Sequence, residues 1–217
     1  MGKDDLFKKR KAKRKSDLKR REARRKPYEK ILIVCEGSKT EPNYFLSAKD
    51  HYEIDSANIS IDGSSGSSPF SVVRHAIALY EEELKNDPYD KVFCVFDRDE
   101  HPCYQKAIDT IHQKNNGSNV FNAITSNPSF EYWLLLHFSY SMKPYVKTQK
   151  KSIGALVIDD LKVYIPDYEK SERNTFDKLL GSLDFAIANA TRLAKTRNEN
   201  PSTNVHNLVT YMRELKN

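Results

Sequence analysis

Three acidic residues follow two strongly apolar segments, and their side chains are suited to binding a divalent cation. Glu36 comes directly after the apolar run at 31–35, and Asp97 and Asp99 come after a second run at 92–96. Carboxylate oxygens are hard ligands that favour Mg²⁺ or Mn²⁺ over zinc. Because a carboxylate-bound Mg²⁺ with open positions is equipped for phosphodiester chemistry, the pattern predicts a catalytic metal site made by these three acids.

The acids can meet only if the two apolar segments are neighbouring strands. Both segments are continuous and rich in β-branched residues, which is typical of strands buried on both faces of a parallel sheet. Ligand sites in such sheets lie beyond the carboxyl ends of the strands, and adjacent strands are about 4.8 Å apart. We therefore expect Glu36 and Asp97 to share one crevice, where carboxylates repel one another unless a cation neutralises them.

The remaining pattern places this crevice in an α/β protein. Strands predicted at 57–61 and 120–124 alternate with helices, which indicates a mostly parallel sheet flanked by helices. We assign 28–125 to this α/β core and 126–217 to a helical C-terminal part packed on it. The predicted helices begin at a Thr40 cap and at Ser68-Pro69, and further ones cover 103–114, 128–138, 152–162 and 176–187, with a last one capped by Ser202.

The basic charge is concentrated at the N-terminus. Residues 1–26 contain 14 Lys and Arg against four Asp and Glu (net +10), whereas the rest contains 22 basic and 26 acidic residues (net −4). The arm, residues 1–27, is predicted to be disordered, and it could be a solubility tail or a contact for nucleic-acid phosphates. Its candidate phosphate contacts are Lys9, Arg10, Lys13 and Arg14.

Composition excludes several classes of protein. No apolar run reaches the roughly 18 residues that a membrane-spanning helix needs, and the basic N-terminus lacks the apolar core of a signal peptide. Cys35, Cys94 and Cys103 have no metal-site spacing and no even disulfide set, so a reducing, cytoplasmic setting is expected. The chain has seven glycines and no Walker A or GxGxxG pattern, which argues against a glycine-rich phosphate loop.

Four stretches together resemble the RloB family of Toprim-like proteins. They are ILIVCEGSKTEPNYF at 31–45, FDRD at 96–99, SNPSFEYWLLLHF at 126–138 and NPSTNVHNLV at 200–209. A strand ending in Glu-Gly, followed by a strand ending in Asp-x-Asp, looks like a Toprim domain, the metal-dependent module of topoisomerases, primases and some nucleases. The resemblance implies a Toprim-like core in which Glu36 is a metal ligand or general acid/base and Asp97 and Asp99 bind the metal.

The same resemblance implies a function. The RloB family is similar to the AbiL abortive-infection component of phage defence and is typically encoded beside an ABC-type ATPase. We therefore expect a Mg²⁺-dependent endonuclease acting on RNA or DNA in antiviral defence, with that ATPase as partner, no membrane association and a homo-oligomer left open. The alternatives are a non-catalytic subunit, which binds nucleic acid through the arm and docks on the ATPase, and an enzyme of phosphoryl transfer on a small nucleotide.

Four further residues are candidates for the site, each with a structural alternative. Glu131 is the only charged side chain in 121–142, so it is either a metal ligand or a buried acid with hydrogen-bond partners. Glu41 is either a ligand of a second metal or a stabiliser of its helix dipole. Lys39 and Arg98 either hold substrate phosphates or are solvated loop charges. The histidines His101, His137 and His206 share no spacing and are assigned to the core or the surface.

Overall fold

The structure is a computed structural model, and it describes residues 29–56, 58–98, 101–196 and 198–215. Asp99 and the basic arm lie outside the described residues. The predictions made for Asp99 and for the phosphate contacts Lys9, Arg10, Lys13 and Arg14 therefore stay predictions.

A five-stranded sheet forms the centre of the fold. Its strands are β1 (Ile31–Cys35), β2 (Ile59–Asp62), β3 (Lys91–Asp97), β4 (Phe121–Asn127) and β5 (Ser202–Thr203). They lie in the order β2-β1-β3-β4-β5, and only the β4–β5 pair is antiparallel. Cys35 pairs with Val95 across β1 and β3, so the predicted neighbourhood of these two strands is confirmed and the residues that follow them leave the sheet at one edge.

Helices cover both faces of the sheet. They are α1 (Thr40–His51), α2 (Pro69–Glu83), α3 (Tyr104–Asn115), α4 (Glu131–Leu135), α5 (Ile153–Lys162), α6 (Thr175–Leu179), α7 (Leu183–Lys195) and α8 (Val205–Glu214), with a 3-10 turn at Leu180–Ser182. Leu32 and Val34 face the smaller core under α2 and α3, which also contains Phe96 and Phe121. Ile33 and Val95 face the aromatic-rich core under α1, α4 and the C-terminal helices. The two cores lie on opposite faces because the side chains of a strand point alternately to either side of the sheet. Helices therefore flank a mostly parallel sheet, which confirms the predicted α/β fold with a helical C-terminal part. No helix in the described ranges combines the length and apolar character needed to cross a membrane.

Two local predictions in the C-terminal part were wrong. The helix expected over 176–187 is interrupted by the 3-10 turn, which contains Gly181, a residue of low helix propensity. Ser202 does not cap the last helix, because Ser202 and Thr203 pair with the end of β4 and Asn204 takes the position before α8. The helix expected over 128–138 is also shorter, since α4 has five residues.

Asparagine side chains close the edge of β4 that β5 leaves open. β5 pairs only with the last two residues of β4. Further back, the Asn115 amide donates to Phe121 O and accepts from Phe121 N, both at 2.8 Å. The Asn204 side chain accepts from Thr125 N at 2.6 Å and donates to Ala123 O at 3.0 Å. An exposed strand edge is a template for aggregation, and these amides remove that template.

Candidate active site

Glu36 and Asp97 lie side by side at the carboxyl ends of β1 and β3. The Asp97 backbone N–H donates to Glu36 Oε2 at 3.0 Å, and the Glu36 N–H donates to Val95 O at 3.0 Å, which extends the pairing of the strands into the site. The Asp97 carboxylate accepts a hydrogen bond from the N–H of Phe130, just before α4. His101 Nε2 is 3.4 Å from Glu36 Oε1. His101 was assigned to the core or the surface, although its position four residues after Asp97 was a usable signal.

Glu41 reaches back from the first turn of α1 toward the end of β1. Its side chain is only 7% exposed, and it lies directly against the backbone of Gly37. A Cβ at Gly37 would be 2.5 Å from Glu41 Oε2, so a larger residue there would displace the carboxylate. Gly63 in turn packs on Gly37, since its Cβ would be 2.9 Å from Gly37 O. Two glycines therefore make room for an acid beside Glu36.

Glu131 is the first residue of α4 and is 1% exposed. The Ser129 hydroxyl donates to its Oε2 at 2.7 Å, and the Tyr168 hydroxyl donates to its Oε1 at 3.3 Å. Lys170 Nζ lies 3.0 Å from the same Oε1. Both oxygens therefore have protein partners, as in the hydrogen-bonded alternative for this residue; its predicted role as a metal ligand stays a prediction.

Lys170 is a basic residue at this acidic edge that the sequence did not reveal. Its own carbonyl accepts from the Thr40 hydroxyl at 3.1 Å, and the next carbonyl, of Ser171, accepts from Asn43 Nδ2 at 3.1 Å. Thr40 is the first residue of α1, and its hydroxyl donates to the Lys170 carbonyl instead of capping the helix. The predicted Thr40 cap was therefore wrong. These contacts use backbone carbonyls 130 and 128 positions further along the chain, and such contacts leave no pattern of side-chain types in the sequence.

The carboxylates raise one another's pKa values. Burial raises the pKa of Glu41 to about 7, and the charges of Glu131 and Glu36 act in the same direction. Burial also raises the pKa of Asp97 well above its usual range, and the same three carboxylates add to it. Partial burial lowers the pKa of Lys170, but Glu131, Asp97 and Glu41 together raise it more, so that the net pKa lies above its usual value and the group is an ammonium ion. Without a metal, Glu41 and Asp97 therefore hold their protons to a higher pH than ordinary carboxyl groups do, and a bound cation would have to displace those protons.

The chemistry of these donors suits a hard divalent cation. Glu36, Glu41 and Asp97 offer only oxygen ligands, which Mg²⁺ prefers, and their mutual repulsion would be relieved by a bound cation. Within the described part of the chain, no three or more His, Cys, Asp or Glu side chains are arranged as a metal site. Asp99, the third predicted ligand, lies outside that part. The residues thus fit the cation by donor type and charge.

The two predicted phosphate contacts near the site differ in their surroundings. Arg98 donates to Glu199 Oε2 at 2.9 Å, and its guanidinium lies 5.4 Å from the centre of the Tyr104 ring. Lys39 occupies the exposed position before α1. Arg98 is therefore held in place beside Asp97, whereas Lys39 is a solvated residue at the rim, and the phosphate-binding roles of both stay predictions.

Comparison with known proteins adds one finding. A family model described as RloB-like protein matches residues 31–212. No curated protein and no solved structure matches the chain. The matched stretch begins at β1 and includes Glu36, Asp97, Glu131 and Lys170, and the basic arm lies before it.

Proposed function

Since the chain belongs to the RloB-like family, we propose that it is a Mg²⁺-dependent endonuclease that cleaves RNA or DNA. The observation that supports this is the position of Glu36 and Asp97 at the ends of adjacent parallel strands, with Glu41 buried beside them. Gathering like charges in a buried place opposes folding. Proteins accept such strongly shifted carboxyl groups chiefly where a site uses them.

Five of the described side chains have a part in this proposal, together with Asp99. Mg²⁺, when bound, would polarise a phosphate oxygen and orient a water molecule as the nucleophile. Glu36 and Asp97 would hold the ion together with Asp99. Lys170, oriented by Glu131, is suited to binding a non-bridging phosphate oxygen. His101 lies within reach of Glu36 Oε1 and is suited to exchanging a proton there.

The biological setting is proposed from the resemblance alone. The likeness of RloB proteins to the AbiL component suggests a role in abortive infection, and the neighbouring ABC-type ATPase would be the partner. A nuclease inside its own host has to be restrained, so we expect the ATPase to control when cleavage occurs.

A metal titration with a substrate panel tests the proposal. Cleavage of labelled RNA and DNA is measured at rising Mg²⁺ and Mn²⁺ concentrations, with and without the ATPase. We expect cleavage that requires the metal, that Glu36→Gln abolishes and that Glu81→Gln leaves intact, because Glu81 pairs with Lys114 near the end of α2, at the amino ends of the strands. No cleavage under any of these conditions, or equal cleavage by Glu36→Gln, would contradict the proposal.

The second candidate is a non-catalytic subunit that binds nucleic acid and docks on the ATPase. It is favoured by the ion pair of Lys170 with Glu131, which already supplies a cation, and by the lack of a preformed metal grouping among the described side chains. The two candidates differ in metal binding. Calorimetric titration with Mg²⁺ should show a site that Asp97→Asn removes if the protein is the nuclease, and no such site if it is the subunit.

A further inference from the structure

A basic segment lies between α4 and α5, and we call residues 139–152 the lysine loop. It contains Lys143, Lys147, Lys150 and Lys151, and no Asp or Glu occurs between 132 and 158. The loop has no helix or strand, and its residues from 142 to 152 are exposed except Tyr145, which is 6% exposed. Connections of more than about 12 residues without secondary structure are uncommon and are usually functional or disordered.

Tyr145 fixes the middle of the lysine loop. Its N–H donates to Asn200 Oδ1 at 3.2 Å, and its carbonyl accepts from Asn200 Nδ2 at 2.8 Å. Its hydroxyl donates to Asp160 Oδ2 at 2.7 Å. The loop is therefore held as a defined surface rather than as a disordered connection, with Lys143 and Lys147 two residues on either side of the anchor.

This anchor lies at the carboxylate edge of the sheet. Asn200 follows Glu199, and Glu199 accepts a hydrogen bond from Arg98, which directly follows Asp97. The Asn127 side chain, at the end of β4, donates to the Glu199 carbonyl. Consecutive Cα atoms are about 3.8 Å apart, so this short series of contacts brings the lysine loop to the side of the crevice.

We propose that the lysine loop binds the phosphate backbone of the nucleic acid and carries it across the carboxylate edge; this rests on the proposed function. Residues 27–217 have a net charge of −4, and the crevice concentrates carboxylates, so a polyanion would be repelled without a local basic surface. The N-terminal arm joins the fold at the start of β1, which is the opposite edge of the sheet. Lysines give such a surface affinity without sequence preference, and Val146, 69% exposed between them, offers apolar contact to sugar or base.

Neutralising the loop tests the proposal in the full-length protein. K143Q/K147Q/K150Q is compared with wild type by fluorescence anisotropy on labelled single-stranded RNA and DNA, with EDTA present to prevent cleavage and across a range of NaCl concentrations. We expect binding to weaken roughly tenfold to a hundredfold and the salt dependence, as the slope of log K against log salt, to fall by about 2. An unchanged slope would overturn the proposal.

A matched control separates local contacts from total charge. K85Q/K91Q/K114Q removes the same charge at the amino ends of the strands, where Lys91 begins β3 and Lys114 lies in the last turn of α3. We expect its affinity to stay close to that of wild type, and equal weakening in both variants would overturn the proposal. Both variants should keep the wild-type melting temperature, and K143Q/K147Q serves if the triple variant melts lower.

The outcome also distinguishes this proposal from the proposed function. Metal-dependent cleavage by wild type, together with unchanged binding by the loop variant, would reject the lysine loop alone. A wild-type protein that neither binds nor cleaves RNA or DNA would reject both.

Discussion

Two polar regions border the same sheet, and their polar groups have opposite effects on the stability of the fold. Along the open edge of β4, Asn115 and Asn204 satisfy backbone groups that lack a strand partner. At the carboxyl edge, Glu36, Glu41 and Asp97 lie together, and burial and like charge raise the pKa values of Glu41 and Asp97. The first arrangement stabilises the fold and the second opposes it. This difference indicates that the carboxyl edge is shaped by a chemical requirement rather than by folding.

Removing an acid from the carboxyl edge should have the largest effect on activity. We expect Glu36→Gln and Asp97→Asn each to lower the cleavage rate about a thousandfold or more, equivalent to about 4 kcal/mol in the barrier. Stability without metal should stay level or rise, since one source of repulsion is gone. Cleavage rates and melting curves with and without Mg²⁺ check both halves. If either variant keeps its activity, or if it unfolds, the carboxylates have a structural rather than a catalytic role.

These two acids could be predicted because their signal is local. Each follows a continuous apolar run that can only be a buried strand, and the carboxyl ends of adjacent parallel strands meet at one edge. Glu131 was found in a similar way, as a lone charge in an apolar stretch. The contacts of Glu131 with Ser129, Tyr168 and Lys170 could not be predicted, because Tyr168 and Lys170 come from a distant part of the chain.

The errors in the fold have physical causes of the same kind. A strand of two residues such as β5 has no periodicity to detect, and Ser202 was therefore assigned to a helix cap. The apolar spacing from Phe176 to Ile187 continues across Gly181, so it indicated one helix where the backbone forms two. Lys170 is held at the carboxyl edge by contacts between backbone carbonyls and α1. These contacts could not be predicted, because backbone groups are the same in every residue.

Glu131 tests whether the carboxyl edge also contains a purely structural acid. We expect Glu131→Ala to destabilise the protein by roughly 3 kcal/mol, because the Ser129 and Tyr168 hydroxyls both lose their acceptor and each unsatisfied buried polar group costs roughly 1–3 kcal/mol. The Lys170 side chain is 57% exposed, so its ammonium group can turn to water at little cost. The loss should be the same with and without Mg²⁺, as measured by urea unfolding. If instead the variant folds normally and loses only its stabilisation by Mg²⁺, Glu131 belongs with the metal ligands.

Glu41 should make the stability without metal depend on pH. Its pKa is about 7 in the folded protein against the usual 4.5, so the folded state binds the proton more tightly than the unfolded chain does. Stability should therefore fall as pH rises from about 4.5 to 7, by up to about 3 kcal/mol, and stay low above that range. Glu41→Gln should remove this dependence.

The measurement for Glu41 is a difference between two proteins. The free energy of unfolding of Glu41→Gln minus that of wild type, with EDTA present, should be near zero at pH 4 and reach its full positive value by pH 8. Titrating groups away from the carboxylates are common to both proteins and cancel, whereas the pKa of Asp97 falls when Glu41 is lost and adds to the difference in the same direction. A difference that does not change with pH would show that burial and the neighbouring carboxylates do not raise the pKa of Glu41.

The smallest expected effect lies at the open edge of β4, where it should be one of stability alone. Asn204→Ala leaves the Thr125 N–H and the Ala123 carbonyl without their side-chain partners, and we expect a loss of about 2 kcal/mol, because an unsatisfied buried polar group costs roughly 1–3 kcal/mol and this edge is only partly buried. Asn207→Ala, at an exposed position in the first turn of α8, is the matched control and should change stability little. The cleavage rate of the folded fraction should be that of wild type in both. If Asn204→Ala instead reduced cleavage without reducing stability, the asparagine edge would share in the chemistry, and the contrast between the two regions would no longer hold.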